Sequence, residues 1–468
     1  MMAAIGHRKG VAEVFGGSIS GLPAWLLWRA YYLSQMPTLR RKLRIYVEWT
    51  WGRFFPPTSR TCASRAARSF RSRSNARLAR MASKRPVTEL IHHPYQPPAG
   101  FEAVPVGVHK ASTVIFANTA AMRARDWRHK DGYTYGLHGT PTTFTLEARI
   151  ATLEGGKHTL LTPSGLAAIV LVNFALLKSG DELLLPDNVY GPSKELARST
   201  LGGLGITHRF YDPLRPQSLA SLIGEHTRLV WLEAAGSVTL EFPDLRALVG
   251  VCRERGVTTA LDNTWGAGLA FAAFEVGVDI SMHALTKYPS GGGDVLMGAV
   301  TTRDDALHQR LKLAHMHLGL GVGANDAEML LRSLPSLPLR YAAHDRAARQ
   351  LATWFAARPE VTQVLHPALP GSPGHEHWAA LCSGAAGLFS VVFDARYSTA
   401  QVDAFVDALK LFRIGYSWGG PVSLAVPYDV SNMRRGSPYR GALVRFSVGL
   451  EAVEDLQADL EQALAALR

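Results

Sequence analysis

From about residue 145 onward the sequence alternates between two periodicities, and this restricts the fold more than any other feature. "TLEARIATLEG" carries apolar residues at helical spacing and stops at Gly155 and Gly156. "HTLL" then reads as a strand, "SGLAAIVLVNFALLKSGD" as a helix ending at Gly180, and "ELLLP" as the next strand. "RLVWLEA", "VTTALDNT" and "ISMHALTK" continue as strands, separated by helices such as "DLRALVGVCRERG". Short apolar strands joined by helices of this length need crossover connections, which predicts an α/β fold with a mostly parallel central sheet and helices on both faces. In such sheets ligands gather beyond the carboxyl ends of the strands. The pattern changes near residue 335, where prolines punctuate the chain before a long helix. "GLFSVVFD", an amphipathic "TAQVDAFVDALKLF", "LVRFSVGL" and a helix over 452–467 then predict a smaller C-terminal α+β unit. The expected divisions are an extension over 1–84, an arm over 85–144, a large domain over 145–335 and a C-terminal domain over 336–468.

Charge separates the extension from the body. Residues 1–81 hold thirteen Arg and two Lys against Glu13 and Glu48, leaving 35 basic and 36 acidic residues downstream. The net charge of +12 therefore belongs to the extension, and the near-neutral body gives no reason to expect nucleic acid. Within the extension, "SISGLPAWLLWRAYYLS" is interrupted by Arg29 and Pro23 and is too short and polar for a membrane span. "SRTCASRAARSFRSRSNARLARMASK" has the acid-free, Arg- and Ser-rich composition of a transit peptide, but its aromatic-rich neighbour does not suit one. The expectation is a start at Met81, with residues 1–80 having no folded role.

Cys62, Cys252 and Cys382 are scattered, without C-x-x-C spacing, so a reducing, cytoplasmic setting without disulfide or zinc site is expected. The 17 His contain no H-E-x-x-H, and His92 and His93 sit beside prolines, so no metal is expected.

Several residues fall at the predicted strand ends. In "HALTKYPSGGGDVLMGAV" Lys287 follows an apolar run, where desolvation disfavours an ammonium. In "TPSG" Ser164 is placed to cap a helix whose free N–H groups at Gly165 and Leu166 would hold an anion. "LDNTW" puts Asp262 at a strand end, and "NVYGP" puts Tyr190 just after another. Taken singly, each has a plain structural explanation: a solvated lysine, an ordinary cap, a turn aspartate, a packed loop tyrosine. Together, a phosphate cradle, a buried carboxylate, an aromatic ring and a lysine are what pyridoxal phosphate needs.

"YGLHGTPTTFTLEARIATLEGG", "LDNTWGAG", "TKYPSGGGDVLMGAV", "HPALPGSPGHEHW", "GYSWGG" and "VRFSVGLE" resemble, in order, the cystathionine- and methionine-metabolism family of pyridoxal-phosphate enzymes, and within it the β-lyases. The resemblance spans roughly residues 85–468 and implies fold type I, the aspartate-aminotransferase-like fold. It further implies that Lys287 is the Schiff-base lysine, Asp262 the pyridinium partner and Tyr190 the stacking ring, with Gly165, Leu166 and Thr286 at the phosphate. Tyr135 would reach the phosphate of a neighbouring subunit, which implies a dimer as the catalytic unit and a tetramer as the family habit. Arg445 would clamp the α-carboxylate of an amino-acid substrate, assisted by Ser417, and Trp418 in "SWGG" resembles the β-lyases where γ-acting relatives usually carry leucine. The implied activity is β-elimination of L-cystathionine to homocysteine, pyruvate and ammonia in methionine biosynthesis, with Lys287 removing the Cα proton. A γ-acting lyase, synthase or sulfhydrylase is the alternative, and a catalytically idle cofactor-binding regulator a further one. Two positions depart from the family pattern: Leu137 stands where an arginine is common, leaving open whether His138 replaces it, and "EAAGS" at 233–237 lacks the proline of E-x-P.

Overall fold

The computed structural model describes residues 86–92, 95, 99–100, 103–130, 132–429 and 438–467, and the backbone of three strands within 2–21. The Arg- and Ser-rich stretch, most of the aromatic-rich stretch, Cys62, Met81 and His93 lie outside the described residues. The chain forms two compact units, Met1–Lys84 and Arg85–Arg468. In the first, β1 (Met2–Ala4), β2 (Gly10–Val14) and β3 (Gly17–Gly21) make an antiparallel sheet in that order, where the sequence reading named no strand.

The second unit is built on a seven-stranded sheet of β4 (His158–Thr162), β5 (Glu182–Pro186), β6 (Thr207–Tyr211), β7 (Thr227–Glu233), β8 (Thr258–Asp262), β9 (Ile280–His283) and β10 (Gly298–Thr302), in the order β4-β10-β9-β8-β7-β5-β6. Strands β5 to β9 pair in parallel, and only β10 runs against its neighbours. Successive residues point to opposite faces, and both faces are apolar. Leu184, Val230, Leu232 and Leu261 join one buried cluster, while Leu183, Leu185, Leu229, Trp231, Ala260 and Ile280 join another. On the faces lie α1 (Pro141–Glu154), α2 (Gly165–Leu176), α3 (Gly191–Leu196), α4 (Leu245–Glu254) and α5 (Asp305–Leu318). The chain leaves β5 for β6 on one side and returns to β7 on the other, so a crevice opens beyond the carboxyl ends of β5 and β7.

After α6 (Ala324–Ser333), the 20-residue α7 (Leu337–Ala356) leads into a second sheet of β11 (Val361–Leu365), β12 (Leu388–Phe393), β13 (Arg413–Ile414), β14 (Leu424–Tyr428) and β15 (Leu443–Ser447), ordered β11-β12-β15-β14-β13. Phe355 of α7, Phe389, Phe393, Phe405 and Phe446 form its core with α8 (Thr399–Asp407) and α9 (Val453–Ala463).

Two element ends differ from expectation. α2 stops at Leu176, because Leu177 is already extended and Gly180, at φ 89°, turns the chain so that its N–H donates to the Gly205 carbonyl. β9 stops at His283, so Lys287 lies four residues beyond the strand; there the Lys287 N–H donates to the Ala284 carbonyl, turning the chain away from the sheet.

Candidate active site

The loops beyond β5, β7, β8 and β9 place their side chains around Lys287. Its Nζ donates to Ser417 Oγ at 2.8 Å and lies 5.4 Å from the centre of the Trp418 ring. Burial chiefly, then the Arg445 charge, push the amine down to about 8, against the pull of Asp262. A far larger minority of it is therefore neutral near physiological pH than for an ordinary lysine, as suits a nucleophile or base. The Ser417 backbone is at φ 113°, and a Cβ on Gly419 would sit 2.8 Å from the Tyr288 nitrogen, so the 417–419 turn lies directly over 287–288.

Asp262 ends β8 beside Glu233, its register partner at the end of β7. One Asp262 oxygen accepts from the Thr264 N–H at 3.0 Å and its hydroxyl at 2.5 Å. Burial raises Asp262, while the Thr264 bonds, His283 and Lys287 pull it down. Glu233 is raised well above the usual carboxylate range by burial and then by the Asp262 charge. Two adjacent buried carboxyls do not both ionise freely, and Glu233 is the one kept neutral. Its Oε2 accepts from the Tyr190 N–H at 2.9 Å, which fixes the start of α3. The Tyr190 ring, 42% exposed, faces the crevice, and its hydroxyl is raised by burial, then Asp262, then Glu233.

Ser164 caps α2, its Oγ accepting from Ala167 N at 3.0 Å, with Gly165 and Leu166 in the first turn. A Cβ on Gly165 would lie 2.6 Å from Ala284 Cβ, so only glycine lets this helix start so close to the segment carrying Lys287. Thr286 is less open than expected, because its hydroxyl donates to the Met297 carbonyl at 3.2 Å and accepts from the Met297 N–H at 3.1 Å.

Arg445 comes from the other sheet, in the middle of β15. It is 8% exposed, its Nη2 donates to the Ser417 carbonyl at 3.4 Å, and its guanidinium lies 5.3 Å from the Tyr428 ring centre. Its Nε is buried without a partner, and no ion pair of the described residues involves it. Burial lowers its pKa, as expected for a cation lacking an anion.

Lys287, Asp262, Tyr190, Arg445, Ser417 and Trp418 are thus brought together, with Gly165, Leu166 and Thr286 along one side. Tyr135 is not: it is 47% exposed, with its ring edge-on to His138 at 6.3 Å. His138 accepts or donates through Nδ1 to Thr134 Oγ1 at 2.8 Å, and Leu137 packs near Gly321. Sequence reasoning missed Tyr428 and did not see Glu233 as a site group, although "EAAGS" had been noted for its missing proline. Among the described residues no group of His, Cys, Asp or Glu is arranged to hold a metal, and no helix is long and apolar enough to cross a membrane. The fit to pyridoxal phosphate rests on the amine of lowered basicity, the helix start closed against Ala284, the carboxylate at the end of β8 and the unneutralised guanidinium.

A family model described as "Cys/Met metabolism PLP-dependent enzyme" matches residues 87–465. A putative cystathionine beta-lyase of Rhizobium johnstonii is 42% identical over 372 residues, covering 78% of this chain and 92% of its own length. The cystathionine beta-lyase of Bordetella avium is 39% identical over 392 residues, 82% of this chain and 98% of that protein. The crystal structure of metB from Corynebacterium glutamicum matches with a TM-score of 0.77 at 28% identity, covering 83% of this chain and 99% of that one.

Proposed function

We propose that this chain, which belongs to the Cys/Met metabolism PLP-dependent enzymes, is a carbon-sulfur lyase that cleaves L-cystathionine to homocysteine, pyruvate and ammonia. The observation that carries the reading is the buried, unneutralised Arg445 facing the neutral-prone amine of Lys287, an arrangement suited to an amino acid whose Cα proton must be taken. The likeness to the two β-lyases supports the substrate.

Pyridoxal phosphate, when bound, supplies the electron sink for charge developing at the substrate Cα. Lys287 would carry the cofactor, and its neutral Nζ would be the base for the Cα proton. Asp262 would face the ring nitrogen and favour its protonation, and Tyr190 would lie against the ring. The first turn of α2, through Gly165 and Leu166, would hold the phosphate with the helix dipole, beside Thr286. Arg445 fixes the substrate carboxylate through two parallel hydrogen bonds, and Ser417 and Trp418 hold the lysine in place between proton transfers. Tyr135, half-exposed beside His138, would serve the phosphate of a neighbouring subunit in a dimer or tetramer. The enzyme works in the cytoplasm, where the buried Cys252 and the partly buried Cys382 stay reduced.

The test is purified protein supplied with pyridoxal phosphate and cystathionine. Pyruvate supports β-elimination; 2-oxobutyrate would instead identify a γ-lyase, and neither product would overturn the lyase reading.

A further inference from the structure

Arg445, the cation assigned above to the substrate carboxylate, has phenols for neighbours. After burial, the groups that act most on its charge are Tyr428, Tyr190 and Tyr416, and the Tyr428 side chain hydrogen-bonds the guanidinium. Tyr190 already has a place against the cofactor, and Tyr416 is 82% exposed. Tyr428, partly buried at the end of β14, has no part in the reaction described so far.

The register of the second sheet places Tyr428 and Arg445 on the same face. Arg445 on β15 pairs with Ser390 on β12 and Val426 on β14, while Tyr428 pairs with Leu443. Residues two apart along a strand share a face, so Arg445, Ser390, Val426, Tyr428 and Leu443 lie together, and Val444 and Phe446 face the phenylalanine core behind them. Tyr428 is therefore the diagonal neighbour of Arg445, a separation an aromatic ring can span, and its ring centre lies 5.3 Å from the guanidinium. This face packs on the loop beyond β7, at the crevice: Ser390 Oγ donates to the Val238 carbonyl at 2.6 Å, and Val238 joins Val392 and Leu443 in a small cluster against which the Tyr428 ring lies. Apolar packing thus holds the ring, and the hydroxyl is left for polar work. A guanidinium has donors only, so in its bond to Tyr428 the phenol oxygen accepts and keeps its own proton to donate. Burial raises the Tyr428 hydroxyl, so that proton stays on the oxygen over the ordinary working range of pH. Among the described residues no group accepts it.

We propose that Tyr428 is a substrate-binding residue, whose hydroxyl accepts from the Arg445 guanidinium and donates its proton to the α-carboxylate that Arg445 binds. The carboxylate is then held by a cation and a neutral donor side by side, and its oxygens have lone pairs enough for both. Because the second donor carries no charge, it adds a bond without adding another desolvated ion. The inference rests on the assignment of Arg445 made above and deepens it: the ligand class is an α-amino acid with a free carboxylate.

The experiment compares Tyr428→Phe with Tyr428→Leu in the holoprotein. Phenylalanine keeps the packing on Val238 and Leu443 and the ring beside the guanidinium but removes the hydroxyl; leucine removes both. Titration with L-alanine, followed by the absorbance of the cofactor, gives a dissociation constant that does not depend on which amino acid is the natural substrate. Tyr428→Phe should weaken L-alanine binding roughly tenfold or more, the loss expected for a hydrogen bond to a charged group. The same variant should raise KM for cystathionine with kcat little changed, because the bond is made in ground state and transition state alike. Cofactor affinity and the melting temperature should match those of the unmutated protein. With L-alaninamide, which offers no carboxylate charge, the loss in Tyr428→Phe should shrink. If Tyr428 only steadied Arg445 through its ring, Tyr428→Phe would bind L-alanine normally and Tyr428→Leu alone would fail; that result overturns the proposal, as does an equal loss with the amide or a parallel loss of cofactor affinity. If instead Arg445→Leu binds L-alanine as tightly as the unmutated protein, the assignment of Arg445 itself fails, which separates the two outcomes.

Discussion

Replacing Arg445 by leucine separates a substrate-binding cation from a structural one, because the two roles predict opposite patterns of stability and rate. In the folded protein the guanidinium is 8% exposed, has an unpartnered Nε, and is held by a 3.4 Å bond to the Ser417 carbonyl and by Tyr428, whose ring centre lies 5.3 Å away and whose side chain also hydrogen-bonds it. A buried cation without a carboxylate costs the fold free energy, and a leucine of comparable reach removes that cost. Melting of the apo-protein should therefore stay level or rise. The rate should fall steeply, since truncating one partner of a desolvated, hydrogen-bonded charge pair costs about 2–5 kcal/mol. That corresponds to a loss in kcat/KM for cystathionine of roughly 30-fold to more than 1000-fold. Arg445→Lys should also be clearly impaired, because an ammonium cannot copy the planar fork. Steady-state kinetics of both variants beside a cofactor titration decide the matter. Near wild-type kcat/KM in Arg445→Leu, with the cofactor bound normally, would remove Arg445 from the active site.

Lys287→Ala should abolish turnover and leave no cofactor that borohydride can fix to the chain; cofactor fixed in that variant would displace the lysine from its assigned role. The lowered Lys287 value gives a pH dependence for the apo-protein: the rate of cofactor capture should climb about tenfold per pH unit below about 8 and level off above it, since only the neutral amine attacks. A rate still climbing past pH 10 would show an ordinary exposed lysine. By the same shift the unfolded chain binds more protons than the folded one between about 8 and the ordinary lysine range, so apo-protein stability should rise with pH across that window. Deleting residues 1–80 should leave kcat/KM and the sedimentation of the active species unchanged, because the family match and the second compact unit both begin after residue 84; loss of soluble oligomer would show that the extension takes part in assembly.

The sheet was legible because its signal is local. Leu183 to Leu185 and Leu229 to Leu232 are apolar at every position, which only a strand covered on both faces requires. Lys287, Asp262 and Tyr190 stood out for the complementary reason, as polar groups at the ends of such runs. The harder features depend on what lies across the sheet. That Thr286 spends its hydroxyl on Met297 follows from a loop closing eleven residues later, which no pattern around "LTKY" announces. Glu233 looks in sequence like an ordinary strand-end carboxylate; only its pairing with Asp262 makes it a group held neutral by its neighbour. Glu154 is more deceptive still, since in "TLEARIATLEGG" it has the position of a solvated residue in a last helical turn, where a negative charge opposes the helix dipole. Its burial makes sense only through His283, 129 residues later in the chain, together with Asn263 and Ser281. A carboxylate placed against its local preference needs a compensating interaction from the tertiary fold, and here that interaction leads directly to the strand carrying Asp262.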